Sequence, residues 1–526
     1  MAKHHYASRP HDTSRMPPGI PFIIGNELAE RFSFYGMKTI LTVFMTKHLL
    51  DASGQAAYMS DEEAKSVYHL FSALAYFFPI LGAIVSDVLW GKYKTILLIS
   101  LMYCLGHGML ALMDVGPALG IWDMKPFMYA GLLLIAIGAG GIKPCVSAHV
   151  GDQFGTKNKH LVSKTFSWFY FSINVGAATS SLLTPIFLAK FGPWLAFGVP
   201  GVLMVLATFV FWLGRNRFVH IPPAGWQQFK AETFSTEGRR ALINLAPLFL
   251  IFIPVFWAIF DQTGSAWVLQ AEAMNRRFFG VLWLESQIQA VNPILILILI
   301  PLFAYVIYPA IDKVFRMTPL RKIGIGLFLT VVAFTISALI ERSIQAQAAE
   351  VAQNIFAAIG SPASVETVEL RSVLRAAAEF GWTQNELEPF LAGMPSIGWQ
   401  LLAYLVLTAA EVMVSITSLE FAYTQAPRRM KSFIMGVYFL GVSLGNLFTS
   451  GVNAILGIFK DESGRTMLDG ALYYWFFTGL MFVTAIVFVF FSRFYKGSIF
   501  LQDEPESKAL TPEDEARAQA EAPDAR

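Results

Sequence analysis

Apolar runs long enough to cross a bilayer recur about twelve times along this 526-residue chain. Nothing else in it constrains folding so tightly. A hydrocarbon core roughly 30 Å thick takes about 20 residues of helix, and inside it every backbone polar group must be bonded within the protein. The spacing predicts spans near 21–49, 66–90, 94–114, 126–149, 161–189, 194–214, 243–270, 288–312, 320–341, 397–424, 433–457 and 470–493. Composition agrees, with 55% of residues hydrophobic and 14% charged, where soluble domains carry about a quarter charged. The first 20 residues are polar and lack the short apolar region of a cleavable leader, so the first run is expected to be kept as a helix. Cys104 and Cys145 both lie inside apolar runs and offer neither a disulfide framework nor a metal-ligand spacing.

An even number of spans puts both termini on one side, and basic residues mark the cytoplasmic loops. With the N-terminus inside, the cytoplasmic segments hold clusters such as Lys157, Lys159 and Lys164, then Arg215, Arg217, Lys230, Arg239 and Arg240, then Lys313, Arg316, Arg321 and Lys322. The external segments hold half as many. The chain therefore divides into a cytoplasmic tail (1–20), a first six-helix bundle (21–214) and a basic cytoplasmic linker (215–242). A second bundle (243–493) follows, interrupted by an external insert at 342–396, and then a cytoplasmic tail (494–526) with too little apolar surface to fold. Within the insert, "SIQAQAAEVAQNIFAAIG" and "VETVELRSVLRAAAEF" predict short amphipathic helices. The expected fold is an all-α membrane protein of the major facilitator type. It has twelve transmembrane helices in two six-helix bundles, both termini cytoplasmic, and a site between the halves at mid-membrane.

A charge at mid-bilayer costs about 2.5–3.5 kcal/mol on insertion scales, so charges there face a cavity and pair with one another. The predicted spans contain Asn26, Glu27, Glu30, Arg31 and Lys38, then His69, Lys143, Asn174, Asp261, Gln262, Asn292, Glu411 and Glu420. Glu27, Arg31 and Tyr35 recur at i, i+4 and i+8 with Glu30 beside them, which places all four on one helix face. This face admits two readings, a structural ion pair or a ligand and proton site. Two acids for one base leave a carboxylate in need of another partner, and Lys143 is the candidate. The small residues before it (Gly138, Ala139, Gly140, Gly141) would let its helix approach a neighbour closely. "GVSLG" (441–445) matches a nucleophile-elbow pattern but lies inside a membrane helix, so it reads as packing glycines. No HExxH or paired-cysteine metal pattern occurs.

Several stretches together resemble the proton-dependent oligopeptide transporters, a branch of the major facilitator superfamily. They are "ELAERFSFYG" (27–36), "GAIVSDVLWGKYKTI" (82–96), "GAGGIKPCVSAHVGDQF" (138–154), "FSWFYFSINVGA" (166–177), "FWAIFDQTGSAWVLQ" (256–270) and "EVMVSITSLEFAYTQAP" (411–427). The resemblance implies a proton-coupled symporter of di- and tripeptides that works by alternating access. Arg31 and Lys143 would hold the peptide carboxylate with Tyr35 nearby, and Asn174, Asn292 and Glu420 would surround its amino group. Tyr76, Tyr170 and Trp257 would line the pocket. Glu27, Glu30, His69, Lys143 and Glu420 would couple protons. Asp87 reads either as a gating latch that caps a helix end or pairs with a base, or as a simple tight-turn and topology signal, and Asp261 is a further gating candidate. His69 alone is otherwise read as a hydrogen-bonded helix residue. Phe34 departs from the pattern, which prefers Tyr there. The insert is smaller than the extracellular domain of animal members and is read as a cap.

Other implications follow from the same likeness. No cofactor beyond the proton gradient is expected. The partners are peptides and peptide-like drugs, protons and the lipid bilayer, with no nucleic acid, and a monomer suffices. The absence of an Asn-x-Ser/Thr sequon accords with a bacterial inner membrane. Competing readings are a transporter of nitrate or another small solute on the same scaffold, a non-transporting peptide sensor, and a polytopic enzyme. An anion carrier has no need of an acidic end, and no nucleophile–base or metal set supports an enzyme.

Overall fold

The computed structural model describes residues 6–10, 12–233, 236–359, 370–424, 431–461 and 465–495. The tail expected to stay unfolded lies, from residue 496 on, outside the described residues, as do Arg428 and Arg429. The first half is built from α1 (Ile20–Lys47), α2 (Asp61–Val85), α3 (Lys92–Leu112), α4 (Met124–Asp152), α5 (Val162–Phe191) and α6 (Pro193–Leu213). The second half opens with α7 (Ile253–Phe260), α8 (Ala266–Glu272), α9 (Val291–Leu302) and α10 (Pro319–Ile359). It continues with α11 (Leu370–Glu379), α12 (Gln384–Leu391), α13 (Ile397–Glu411), α14 (Thr417–Thr424), α15 (Lys431–Ile458) and α16 (Ala471–Phe494).

Local chemistry sets several of these starts. Ser60 accepts from the Glu63 amide at the head of α2, and Asp61, Glu62 and Glu63 fill its first turn, where the helix dipole favours acids. Ser396 caps α13 in the same way, through Gly398. Two large apolar cores form, one from residues between Ile20 and Phe218 together with Val268 and one from residues between Ala241 and Phe488, with a smaller third cluster around Ile296 and Met413. In the first half α1 packs on α5 and α6, and α3 on α4 and α6. In the second, α10 packs on α13 and α16 and α7 on α15, while α2 against α15 joins the halves. The small-residue stretch before Lys143 behaves as expected. α2 and α4 cross so closely that a Cβ at Gly82 would overlap the Gly141 backbone.

Among the described residues, eleven helical segments are long and apolar enough to cross a membrane. The 28-residue α1 is not one of them, because Glu27, Glu30, Arg31 and Lys38 lower its apolarity. Its charges are sheltered by protein instead. Glu27, Glu30, Arg31 and Lys38 are all buried.

The structure redraws three regions. The first amphipathic stretch of the insert is no separate helix but the continuation of predicted span nine, giving the 41-residue α10. At 1.5 Å per residue that helix is about 60 Å long, twice the thickness of a hydrocarbon core. The remaining insert supplies α11 and α12, and a two-residue-per-strand hairpin (β1 Arg277–Phe278, β2 Val281–Leu282) joins α8 to the next segment. Predicted span seven is broken by a 3₁₀ turn at Asp261–Gly264, between α7 and α8. The linker is partly helical, at Trp226–Thr233 and from Thr236 onward.

Candidate functional site

The helical spacing in α1 delivers the ion cluster it predicts. Arg31 Nε donates to Glu27 Oε1 at 2.7 Å, and Glu30 Oε2 lies 2.8 Å from the same nitrogen. Glu30 makes no directed hydrogen bond with Arg31, so that attachment is electrostatic, and the Tyr103 hydroxyl stands beside the same carboxylate. One guanidinium nitrogen thus serves two buried carboxylates, and the second is held less specifically.

Lys143, on α4, does not join them. Its Nζ lies 4.5 Å from the ring centre of Phe34 and 4.1 Å from that of Tyr76. Tyr76 in turn faces two rings of the second half, Trp257 at 6.3 Å and Phe439 at 6.1 Å. An aromatic bridge therefore runs from the basic residues of the first half to α7 and α15. On α5, Asn174 is buried and its amide donates to the Tyr170 carbonyl at 2.9 Å, while Tyr170 itself is 40% exposed.

The acid that Asn292 holds is Glu411, and Glu420 lies apart from it. Asn292 Nδ2 donates to Glu411 Oε2 at 2.7 Å and to Thr408 Oγ1 at 3.2 Å, tying α9 to α13. Tyr35 stands close enough to Arg31 and Glu411 to feel both charges, and Tyr170 feels Glu411. Glu420 is exposed nine residues further on, about 13 Å along a helix axis. It lines a separate cavity of about 410 Å³ with Tyr308, Asp312 and Lys322. The signal for Glu411 was depth, since it stands midway along predicted span ten and Glu420 lies four residues from its end.

A second polar set binds the halves together. Lys38 Nζ meets Asp261 Oδ1 at 3.0 Å, both side chains buried. Asn446 Nδ2 donates to Asp261 Oδ2 at 2.7 Å, and Asn446 Oδ1 faces His69 Nδ1 at 2.8 Å. That oxygen can only accept, so Nδ1 carries the proton and neutral His69 accepts from Ser265 Oγ through Nε2 at 2.9 Å. Thr42 Oγ1 donates to the Gly264 carbonyl at 2.7 Å. Sequence reasoning noted Lys38 and Asp261 separately and missed their pairing.

The same end of the molecule carries further cross-half bonds. Lys47 bridges Glu285 (2.7 Å) and Glu272 (3.0 Å), and Arg276 joins Glu285. Asp61, at the head of α2, receives Arg375 at 2.7 Å and Arg371 at 2.9 Å from α11. Behind them lies a cavity of about 760 Å³, lined by Asp61, Lys65, Arg371, Arg375 and Tyr473 among others. Burial alone would push the Glu285 carboxyl up, yet Lys47 and Arg276 hold it well below the usual carboxylate range. Burial likewise opposes the charge on Arg375, and Glu272 and Asp61 outweigh it, raising its pKa. Asp87 sits at the other end of α2, in the turn Ser86–Trp90, where its carbonyl accepts from the Ala224 amide of the linker.

Residues 93–236 and 226–466 match the sequence model of the POT family. The chain belongs to the POT family. Within it, the chain is similar to "Peptide transporter 3" of Caenorhabditis elegans, 39% identical over 62% of this chain and 51% of that one. It is also similar to "Solute carrier family 15 member 2" of Homo sapiens, 38% identical over 64% of this chain and 50% of that protein. The chain thus spans about half the length of these curated relatives. Among solved structures it matches an auto-inhibited POT family peptide transporter with a TM-score of 0.72, at 31% identity over 93% of this chain and 99% of that one. The POT family transporter PepTSo matches with a TM-score of 0.69, at 31% identity over 91% and 99%. The membrane-protein fold expected from the sequence is therefore that of the POT transporters.

Proposed function

We propose that this POT family member imports di- and tripeptides together with protons by alternating access. It would do so in a plasma membrane, with twelve spans counting α1 and both termini in the cytoplasm. The observation that carries the reading is the division of charge. A basic set (Arg31, Lys143) stands on the first half and an acid held by an amide (Glu411, Asn292) on the second, linked by Tyr35, Tyr76 and Trp257. A zwitterionic peptide offers the complementary pair of ends, and its side chains vary between them. An acidic end is superfluous for nitrate or another small anion, which disfavours that cargo. Asn174 and Tyr170 would line the amino end beside Glu411.

The cross-half bonds at Lys38, His69, Lys47 and Asp61 cluster at the end bearing the insert, which the charge pattern assigns to the outside. This state is therefore read as closed outward. Lys38–Asp261 is the central gate pair, and the Asn446–His69–Ser265 chain keeps Asp261 aligned. Coupling is assigned first to Glu27 and Glu30. Protonating Glu30 breaks no directed hydrogen bond with Arg31, yet it removes one of the two charges that hold that guanidinium. The freed guanidinium can then turn to the substrate carboxylate, a differential interaction of the kind any conformational coupling requires. Neither a cofactor nor a second subunit enters this scheme.

The test is uptake of labelled dialanine by proteoliposomes under an inward proton gradient. Accumulation above the gradient-free control is expected. Equal uptake in the two conditions would refute symport, and no uptake of any peptide in either would refute the cargo.

A further inference from the structure

Lys143 forms no ion pair among the described residues, although it lies beside an acidic cluster in a largely apolar interior. Glu27 and Glu30 are both turned toward Arg31. What Lys143 has instead is two aromatic faces, Phe34 at 4.5 Å and Tyr76 at 4.1 Å. Phe34 is 1% exposed, and its ring is fixed edge-to-face by Tyr35 at 5.4 Å and against Phe71 at 6.0 Å.

We propose that Phe34 is a positioning residue for substrate binding: its ring seats the Lys143 ammonium without neutralising it, so that Lys143, not Arg31, first receives the peptide carboxylate. This deepens the transport reading above and rests on it. The physical reason is a comparison of exchanges. Had Lys143 been held by Glu30, an incoming carboxylate would displace another carboxylate and gain almost nothing. A ring face attracts the cation through its quadrupole, worth about 2 kcal/mol when desolvated, and sets no counter-charge against it. The substrate carboxylate then meets an ammonium on which no other carboxylate has to be displaced. Tyr at this position, as the resemblance pattern prefers, keeps the face but adds a hydroxyl that competes for the same cation or carboxylate. Phe34 is thus a functional departure and not a lost contact.

The experiment replaces Phe34 with mono-, di- and trifluorophenylalanine in the full-length protein and measures dialanine uptake in proteoliposomes. Fluorination drains the ring face with little change in shape, so a merely packing role predicts no trend. The expected result is a stepwise rise in KM with kcat within about twofold. Phe34→Leu, which removes the face altogether, should reach about 5- to 30-fold in KM. Phe34→Tyr should stay within about threefold of wild type. A flat fluorination series, or Phe34→Tyr as impaired as Phe34→Leu, overturns the proposal. Wild-type protein that carries no dialanine would instead overturn the transport reading itself, so the two failures are distinguishable.

Discussion

Arg375→Gln should loosen the outward-closed state, and the size of the effect follows from how α11 is mounted. Leu370, Val373, Leu374 and Ala377 of α11 are buried in the core of the second half, so the helix rides with that half. Asp61 begins α2 and rides with the first half. Arg375 Nη2 holds Asp61 at 2.7 Å and Glu272, at the end of α8, at 3.1 Å. Only the first of these contacts is severed when the outer end opens. A hydrogen bond between charged groups contributes about 1.5–3 kcal/mol, and at 1.4 kcal/mol per tenfold that corresponds to about 10- to 150-fold in the open-to-closed ratio. Hydration of the parted ions in the open state places the outcome toward the lower end. The assay uses Ser450→Cys in a protein lacking Cys104 and Cys145. Ser450 is buried against Ser66 at the seam, so a membrane-impermeant thiol reagent reaches it only in the open state. Labelling should accelerate at least about tenfold in Arg375→Gln and further in Asp61→Asn, which loses the pairing with Arg371 as well. Labelling of Arg375→Gln within twofold of the parent would refute the idea that the insert straps the two halves together.

Glu411→Gln should raise the KM for dialanine more than tenfold, since it removes the charge facing the amino end, while Glu420→Gln should leave KM within twofold; equilibrium peptide binding checks both. Glu27→Gln or Glu30→Gln should abolish gradient-driven uptake yet preserve peptide-for-peptide exchange, and Arg31→Ala should lose both, as counterflow assays would show. For Glu285, whose folded pKa is depressed by Lys47 and Arg276, the stabilisation is fully present above the unfolded carboxylate value of about 4.3 and is lost as pH falls through the lower folded value. The melting-temperature gap between wild type and Glu285→Gln should therefore stay constant from about pH 8 to 5 and close only under stronger acid. A gap that narrows between pH 7 and 6 would make this pair part of the proton switch.

What could be read from the sequence follows from which forces are local. Apolar length and basic loops are properties of single segments, so the helical architecture was legible almost everywhere. It failed at α10, because residues 342–359, which follow the span, contain neither proline nor glycine and give the helix no reason to stop at the membrane surface. The face of α1 was legible because i, i+4 geometry is fixed within one helix. Partners in other helices were not. Lys38 and Asp261 are 223 positions apart, and nothing in either segment announces their 3.0 Å contact. Glu411 and Glu420 differ in depth rather than in type, and only their distance from the span ends separates them. The residue that looked weakest on the page shows the point most sharply. Phe34 reads as a missing hydroxyl when compared with a pattern, because a pattern records which atoms are present. In three dimensions its value lies in the face it turns to Lys143, a cation more than a hundred residues away. A lysine with rings in place of a carboxylate partner carries no counter-ion for an incoming carboxylate to displace, which is the advantage proposed for Lys143.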